Sequence, residues 1–218
     1  MVGFFGGKDK AGSGAQAGER IPRHSSGWGQ LLERMRSEES LRILDIGATS
    51  STNINFVTAL GHSIYLANLV EDASRREWTI AQEDGSGRFD VEHFLATHLT
   101  FTGRGFDVVL FWDTADYLPE ELLAPVLQRI HQVMEPGGQM LAMFHSASSS
   151  TLPGATAGRT DFCRYHLTEA NQVLVQHAGD YPLLNKFTNR QIEKLLSSFK
   201  GFHFFLGKDN VREVMVTR

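Results

Sequence analysis

Short apolar runs, spaced by stretches of helical length, constrain this chain more than anything else in its sequence. Leu41-Arg-Ile-Leu-Asp-Ile46 has strand length and stops at Gly47, and Asn53 to Leu60 reads as a helix stopped by Gly61. His62-Ser-Ile-Tyr-Leu-Ala67 and Asp107-Val-Val-Leu-Phe-Trp112 repeat the strand pattern. A helix follows, from Pro119 or Ala124 to Met134, and Pro125 marks its start because proline is tolerated in a first turn and costly further in. Gly137-Gly138 then turns the chain into Gln139-Met-Leu-Ala-Met-Phe144. Apolar strands alternating with helices are the pattern of parallel βαβ units with helices on both faces.

The flanking segments read differently. Residues 1–25 are Gly, Ala, Ser and charge, almost without apolar side chains after Phe5, so a disordered tail is expected there and the domain spans 26–218. Trp28, Leu31, Leu32 and Met35 lie at helical spacing and predict an entry helix. Between Arg75 and Thr102 the pattern supports either a strand at Asp90 to Leu95 or a helix at Val91 to His98. Ser146 to Gly158 is small and polar, hence a loop. Phe162 to Leu167 and Gln172 to Gln176 predict a hairpin. Thr188 is a good cap for a helix from Asn189 to Phe199, and Phe202 to Leu206 and Arg212 to Thr217 predict a terminal pair of strands.

Composition narrows the class. A chain of 218 residues with 41% hydrophobic and 21% charged residues suits one ordinary soluble domain. A net charge of −4 argues against a nucleic-acid partner, since phosphate binding usually shows as a basic excess. The lone Cys163 excludes an internal disulfide framework and reads as a structural thiol in a reducing compartment. With no apolar run long enough to span a membrane and no secretory core near Met1, a cytoplasmic protein is expected. The histidines show no His-x-x-x-His spacing with a supporting acid, so no metal is expected.

The chemistry concentrates at strand ends. Asp45-x-Gly47 closes the first strand, where an open α/β sheet takes its ligand and where glycine lets the ligand approach the backbone. With these features in this order, the sequence resembles the class I S-adenosylmethionine-dependent methyltransferases. Their first motif runs hydrophobic-Asp/Glu-x-Gly-x-Gly-x-Gly, and an acid at the end of the next strand holds the ribose. Asp45 and Gly47 match the motif, and Asn68 stands 23 residues beyond Asp45 at the ribose position. Phe106 to Asp113 resembles the family's fourth strand, and Met134-Glu-Pro-Gly-Gly-Gln139 its turn into the fifth.

The resemblance implies a Rossmann-like, doubly wound, mostly parallel sheet of seven strands with a C-terminal antiparallel hairpin. It implies S-adenosylmethionine as cofactor, held by Asp45, Gly47, Ala48, Thr49, Asn68, Leu69, Trp112 and Asp113. The acceptor is expected to be a small molecule, with residues 146–187 as a substrate-side insertion. His145, after the fifth strand, is a candidate general base, and Asp116 a second catalytic candidate whose plain alternative is preparing the next helix. This sequence departs from the family at two points. Thr49 and Ser51 replace the second and third glycines, and Asn68 replaces an acid. A β-branched Thr49 would be strained if the loop required positive φ there. These departures keep a non-catalytic binding or structural module on the same fold as the alternative. A nicotinamide-dependent oxidoreductase is disfavoured, because Thr49 obstructs the close backbone approach that a pyrophosphate needs.

Overall fold

The computed structural model describes residues 18–82, 86–146, 159–205, 207 and 209–218. The expected loop at 147–158 and most of the expected tail lie outside them. Eleven strands and seven α-helices follow in order among these residues: β1 (Ile21–His24), α1 (Ser26–Ser37), β2 (Arg42–Ile46), α2 (Ser51–Ala59), β3 (Ser63–Ala67), α3 (Leu69–Ala73), β4 (Thr79–Ala81), β5 (Gly87–Phe89), α4 (Val91–His98), β6 (Phe106–Trp112), α5 (Thr114–Tyr117), α6 (Glu120–Val133), β7 (Met134–His145), β8 (Arg159–His166), β9 (Gln172–Pro182), α7 (Asn189–Leu195), β10 (Gly201–Phe205) and β11 (Val211–Thr217).

The main sheet has the order β10-β11-β7-β6-β2-β3. Strands β3, β2, β6 and β7 run parallel, while β11 is antiparallel to both β7 and β10. Strand order therefore reverses at β2, with β3 on one side of it and β6 then β7 on the other, and in open α/β sheets ligands sit at the carboxyl ends of strands at such a switch point. The apolar residues of each strand face both ways. Leu44, Val109, Met140 and Val214 meet α4, α6 and α7 on one face; Ile43, Val108, Leu141 and Met215 meet α1 and α2 on the other. Burial on both faces is why these strands read as continuous apolar runs.

Helix ends are fixed by named side chains. Ser25 accepts from the Trp28 amide at the start of α1, whose Trp28, Leu31, Leu32 and Met35 are buried. Thr188 and Gln191 form a reciprocal capping box at α7. Helix α6 starts at Glu120 and not at Pro125, which lies inside it. Leu122 and Leu123 are already buried in the first turns, and their packing outweighs the one backbone bond that proline forgoes.

Two further expectations are corrected. The main sheet has six strands, not seven, among the described residues. Between Arg75 and Thr102, where a strand or a helix is expected, the helix is found as α4 at Val91–His98, preceded by the small β4–β5 pair, and Trp78 gathers Phe94, His93 and His98 around its indole in a local aromatic cluster. Residues 21–24, assigned to the tail, form β1, which pairs with β9 and so joins β8 and β9 in a three-stranded sheet. The strand is held by Arg23, whose guanidinium meets Asp209 at 2.7 Å and also the buried Glu213. Among the described residues, no helix is long and apolar enough to cross a membrane.

Candidate functional site

The turn after β2 is built around a buried carboxylate. Asp45 Oδ1 accepts from Trp112 Nε1 at 2.7 Å, and Oδ2 accepts from Asn53 Nδ2 at 3.0 Å. Burial pushes the Asp45 carboxyl up to about 6, against those two hydrogen bonds. Trp112 has φ of 47° at an irregularity of β6, in the left-handed region that an aromatic residue rarely enters. Its indole lies where a side chain on Gly47 would be: a Cβ there would come within 2.9 Å of Trp112 Cδ1. Gly47 is thus required by close approach. Outside glycine, positive φ occurs among the described residues at Ser40 and Trp112 only, so neither Thr49 nor Ser51 is strained. Ser50 caps α2, accepting from the Asn53 amide.

The neighbouring strand brings its tip to the same turn. The Gly47 amide donates to Ala67 O at 3.0 Å, which sets Asn68 beside Gly47. Asn68 caps α3 and donates from Nδ2 to Glu71 Oε2 at 2.8 Å. Leu69 is buried in the core; Ala48 is half-buried and packs with Val70. Trp112 borders Gly47 from the β6 side, whereas Asn68 follows β3 on the other side of β2.

A second acidic centre follows β6. Asp113 and Asp116 are both fully buried, and Asp116 Oδ2 accepts from His145 twice: from Nδ1 at 2.6 Å and from the backbone amide at 3.0 Å. The structure therefore joins the two catalytic candidates. Asp113 Oδ2 accepts from the Tyr165 hydroxyl at 2.9 Å. The Oδ1 atoms of Asp113 and Asp116 are buried without a hydrogen-bond partner. Burial, with the Asp116 charge adding to it, pushes Asp113 up to about 7 against His145 and the Tyr165 hydroxyl. Burial likewise raises Asp116, opposed by His145. For His145, burial acts downward, but the hydrogen bond and charge of Asp116, with the charge of Asp113, raise it overall.

Strands β8 and β9 form an arm over this end of the sheet. Tyr165 stacks on Trp112, ring centroids 4.7 Å apart and planes 6° from parallel. Asn53 bridges arm and turn: beside its bond to Asp45, Nδ2 donates to Tyr165 O at 3.0 Å and Oδ1 accepts from the Leu167 amide at 2.8 Å. His166 Nδ1 lies 2.8 Å from Ser50 Oγ and 2.7 Å from Thr52 Oγ1, and Nε2 lies 2.8 Å from Gln176 Oε1. Because Gln176 Nε2 is committed to Gly18 O, its Oε1 faces the ring, so His166 carries its proton on Nε2 and accepts a hydroxyl at Nδ1. Phe162 and Tyr181 pack with Tyr117 beside Ala48 and Val70. Sequence reasoning missed Asn53, Tyr165 and His166, which meet across the turn and the arm through contacts more than a hundred residues apart, Asn53 with Tyr165 O and Ser50 with His166. Cys163 is half-buried against the α1-side core. Among the described residues, no three His, Cys, Asp or Glu side chains converge as metal ligands.

Comparison with known proteins adds the family. A family model described as a methyltransferase domain matches residues 21–200. No curated protein matches the chain. Among solved structures, a Pyrococcus horikoshii OT3 protein superposes with a TM-score of 0.52 at 12% identity, over 88% of this chain and 88% of its own. A methyltransferase from Methanosarcina mazei gives 0.48 at 13% identity, over 86% and 96%. The 1,6-didemethyltoxoflavin-N1-methyltransferase of Burkholderia thailandensis gives 0.46 at 12% identity, over 89% and 79%.

Proposed function

The chain belongs to the class I S-adenosylmethionine-dependent methyltransferase family, with a Rossmann-like fold, and from that membership we propose that it methylates a small molecule, with His145 as general base. The observation that carries this reading is the meeting of the Gly47 turn with the tip of β3 at Asn68, at the carboxyl end of the sheet, where the His145–Asp116 pair also lies. Ligands of open α/β sheets sit at such a place.

The donor set suits this cofactor. S-adenosylmethionine carries a sulfonium and an ammonium, and three buried carboxylates, Asp45, Asp113 and Asp116, lie at the carboxyl ends of β2 and β6, with His145 as the one cationic group bonded to them among the described residues. The unpartnered Oδ1 atoms of Asp113 and Asp116 are acceptors that a cationic ligand would satisfy. When bound, the cofactor supplies an electrophilic methyl group. The chain's residues then divide the remaining work. Ala48 and Thr49 at the turn, with Asn68 beyond β3, hold the nucleoside end, while Leu69 is buried behind them in the core, and Asp113 faces the positive charge. Asp45, Gly47 and Trp112 act as one packed unit that shapes the turn. His145, held through Nδ1–H by Asp116, presents Nε2 to the acceptor and takes its proton as the new bond to carbon forms. Most of the rate then comes from alignment of donor and acceptor. The arm over the crevice, within 146–187, supplies the acceptor side, and a covered site suits a small molecule better than a polymer.

A second reading, a non-catalytic module, draws on the aromatic cover of Phe162 and Tyr181 beside Ala48 and Val70. Calorimetric titration of the full chain with S-adenosylmethionine and S-adenosylhomocysteine separates the two. Saturable binding of both is expected, and no binding of either at millimolar ligand would overturn the enzyme reading.

A further inference from the structure

At the carboxyl end of β7, one strand beyond His145, the sheet carries a guanidinium nitrogen without an acceptor among the described residues. Arg212, on β11, lies opposite Phe144 in the register with β7, on the side where Phe144 and Val214 meet the α6–α7 layer. Its Nη1 is buried and has no hydrogen-bond partner among the described residues. Four other arginines, by contrast, are engaged: Arg23 by Asp209 and Glu213, Arg34 by Glu38 and Asp107 O, Arg42 by Thr102 O and the rings of Tyr65 and Phe106, Arg164 by Thr49 O. A buried N–H of a charged group left unpaired is costly, so a chain that retains one gains from something that pairs with it.

The surroundings specify that partner. Arg212 lines a cavity of about 280 Å³ together with Ser146, Asn189, Phe204, Gly207 and Asn210. Asp209 is the acidic residue in the same wall, and it is already spent. It receives Arg23 Nε at 2.7 Å and Arg23 Nη2 at 3.3 Å, and the Val211 amide at 3.3 Å. Among the described residues of the wall, Arg212 is the charged side chain left with an unpaired nitrogen, and Asn189 and Asn210 line the cavity beside it. Planar oxyanions match a guanidinium edge in two-point fashion. We propose that Arg212 is the anchor of an anion-binding site for a carboxylate or phosphate group, with Asn189 and Asn210 completing the shell. The site stands on its own observations and does not depend on methyl transfer.

Calorimetry on the full chain, with inorganic phosphate and separately with acetate at ionic strength held constant by chloride, tests it. Saturable binding of at least one is expected, weakening by about tenfold or more in Arg212→Gln, and the tighter of the two tells phosphate from carboxylate. Arg212→Lys, which keeps the charge but loses the two-point edge, is expected to fall between. Far-ultraviolet dichroism and the melting temperature report folding, and Arg212→Gln is expected to melt no lower than wild type, because no partner is lost. Absence of saturable binding for both anions up to about 50 mM, or affinity unchanged in Arg212→Gln, would overturn the site.

Discussion

His145 and Asp116 share a 2.6 Å hydrogen bond across the carboxyl ends of β7 and α5, and the same carboxylate oxygen also takes the His145 amide. Asp116 is fixed in turn: its backbone carbonyl accepts from the Leu184 and Asn185 amides, each at 2.9 Å, so the chain leaving the arm is tied to the acid bonded to His145. Backbone and side chain of His145 are thereby locked to one acceptor. This leaves Nε2 as the nitrogen able to take a proton.

Activity should follow that pair in pH. The neighbouring carboxylates raise His145 above its ordinary 6.5, and a base works only when deprotonated. The rate constant kcat/KM is therefore expected to rise with pH through an apparent pKa above 6.5. Asp116→Asn should move the rise to lower pH, and His145→Ala should flatten it with a loss of about 10²- to 10⁴-fold. A rise unchanged in Asp116→Asn would detach the acid from the base.

Asp113 sets function against stability. Its folded pKa, about 7, lies above the ordinary 3.8, so the folded state binds the proton more tightly than the unfolded. The stabilisation is complete below 3.8 and is lost as pH rises through 7. At pH 8 the ionised group costs on the order of 4 kcal/mol. Asp113→Asn, whose amide oxygen can still accept from Tyr165, should unfold at higher urea than wild type at pH 8 and lose that advantage near pH 4. Activity should fall in the same variant.

Asn53 joins three segments with one amide. Asn53→Ala would leave Asp45 Oδ2, Tyr165 O and the Leu167 amide short of a partner, at a cost of about 2–4 kcal/mol in a denaturant titration. Amide exchange should accelerate at residues 165–167 before it does so in β2 and β6. Uniform acceleration across the sheet would mean the arm is not separately anchored.

Asn68→Asp should tighten S-adenosylhomocysteine binding about fivefold, through charge-assisted bonds to the ribose hydroxyls. It should also lower stability slightly, because the new carboxylate faces Glu71 Oε2, now 2.8 Å from Asn68 Nδ2. Unchanged affinity would move the ribose elsewhere.

How much of this was readable in advance depends on the range of each interaction. Strands β2, β6 and β7 were legible because burial on both faces leaves a continuous apolar run. Asp45, Asp113 and His145 were legible as candidates because each follows or closes such a run. Strand β1, Ile21-Pro-Arg-His24, carries no alternation, and its conformation comes from pairing with β9 and from the Arg23 ion pairs. The segment around Trp78 was ambiguous because its apolar residues close a local aromatic cluster at irregular spacing instead of facing the sheet at a regular period. The Asn53–Tyr165 and Ser50–His166 contacts span 112 and 116 residues, and nothing local marks either partner.

The most direct measurement is the affinity of Gly47→Val for S-adenosylhomocysteine, with near-ultraviolet dichroism confirming the tertiary fold. The added side chain meets Trp112 at the turn, so binding should be lost by at least about a hundredfold while the dichroism of the buried tryptophans remains. A folded Gly47→Val protein that binds as tightly as wild type would contradict the account, since the ligand could not then sit against the turn after Ile46.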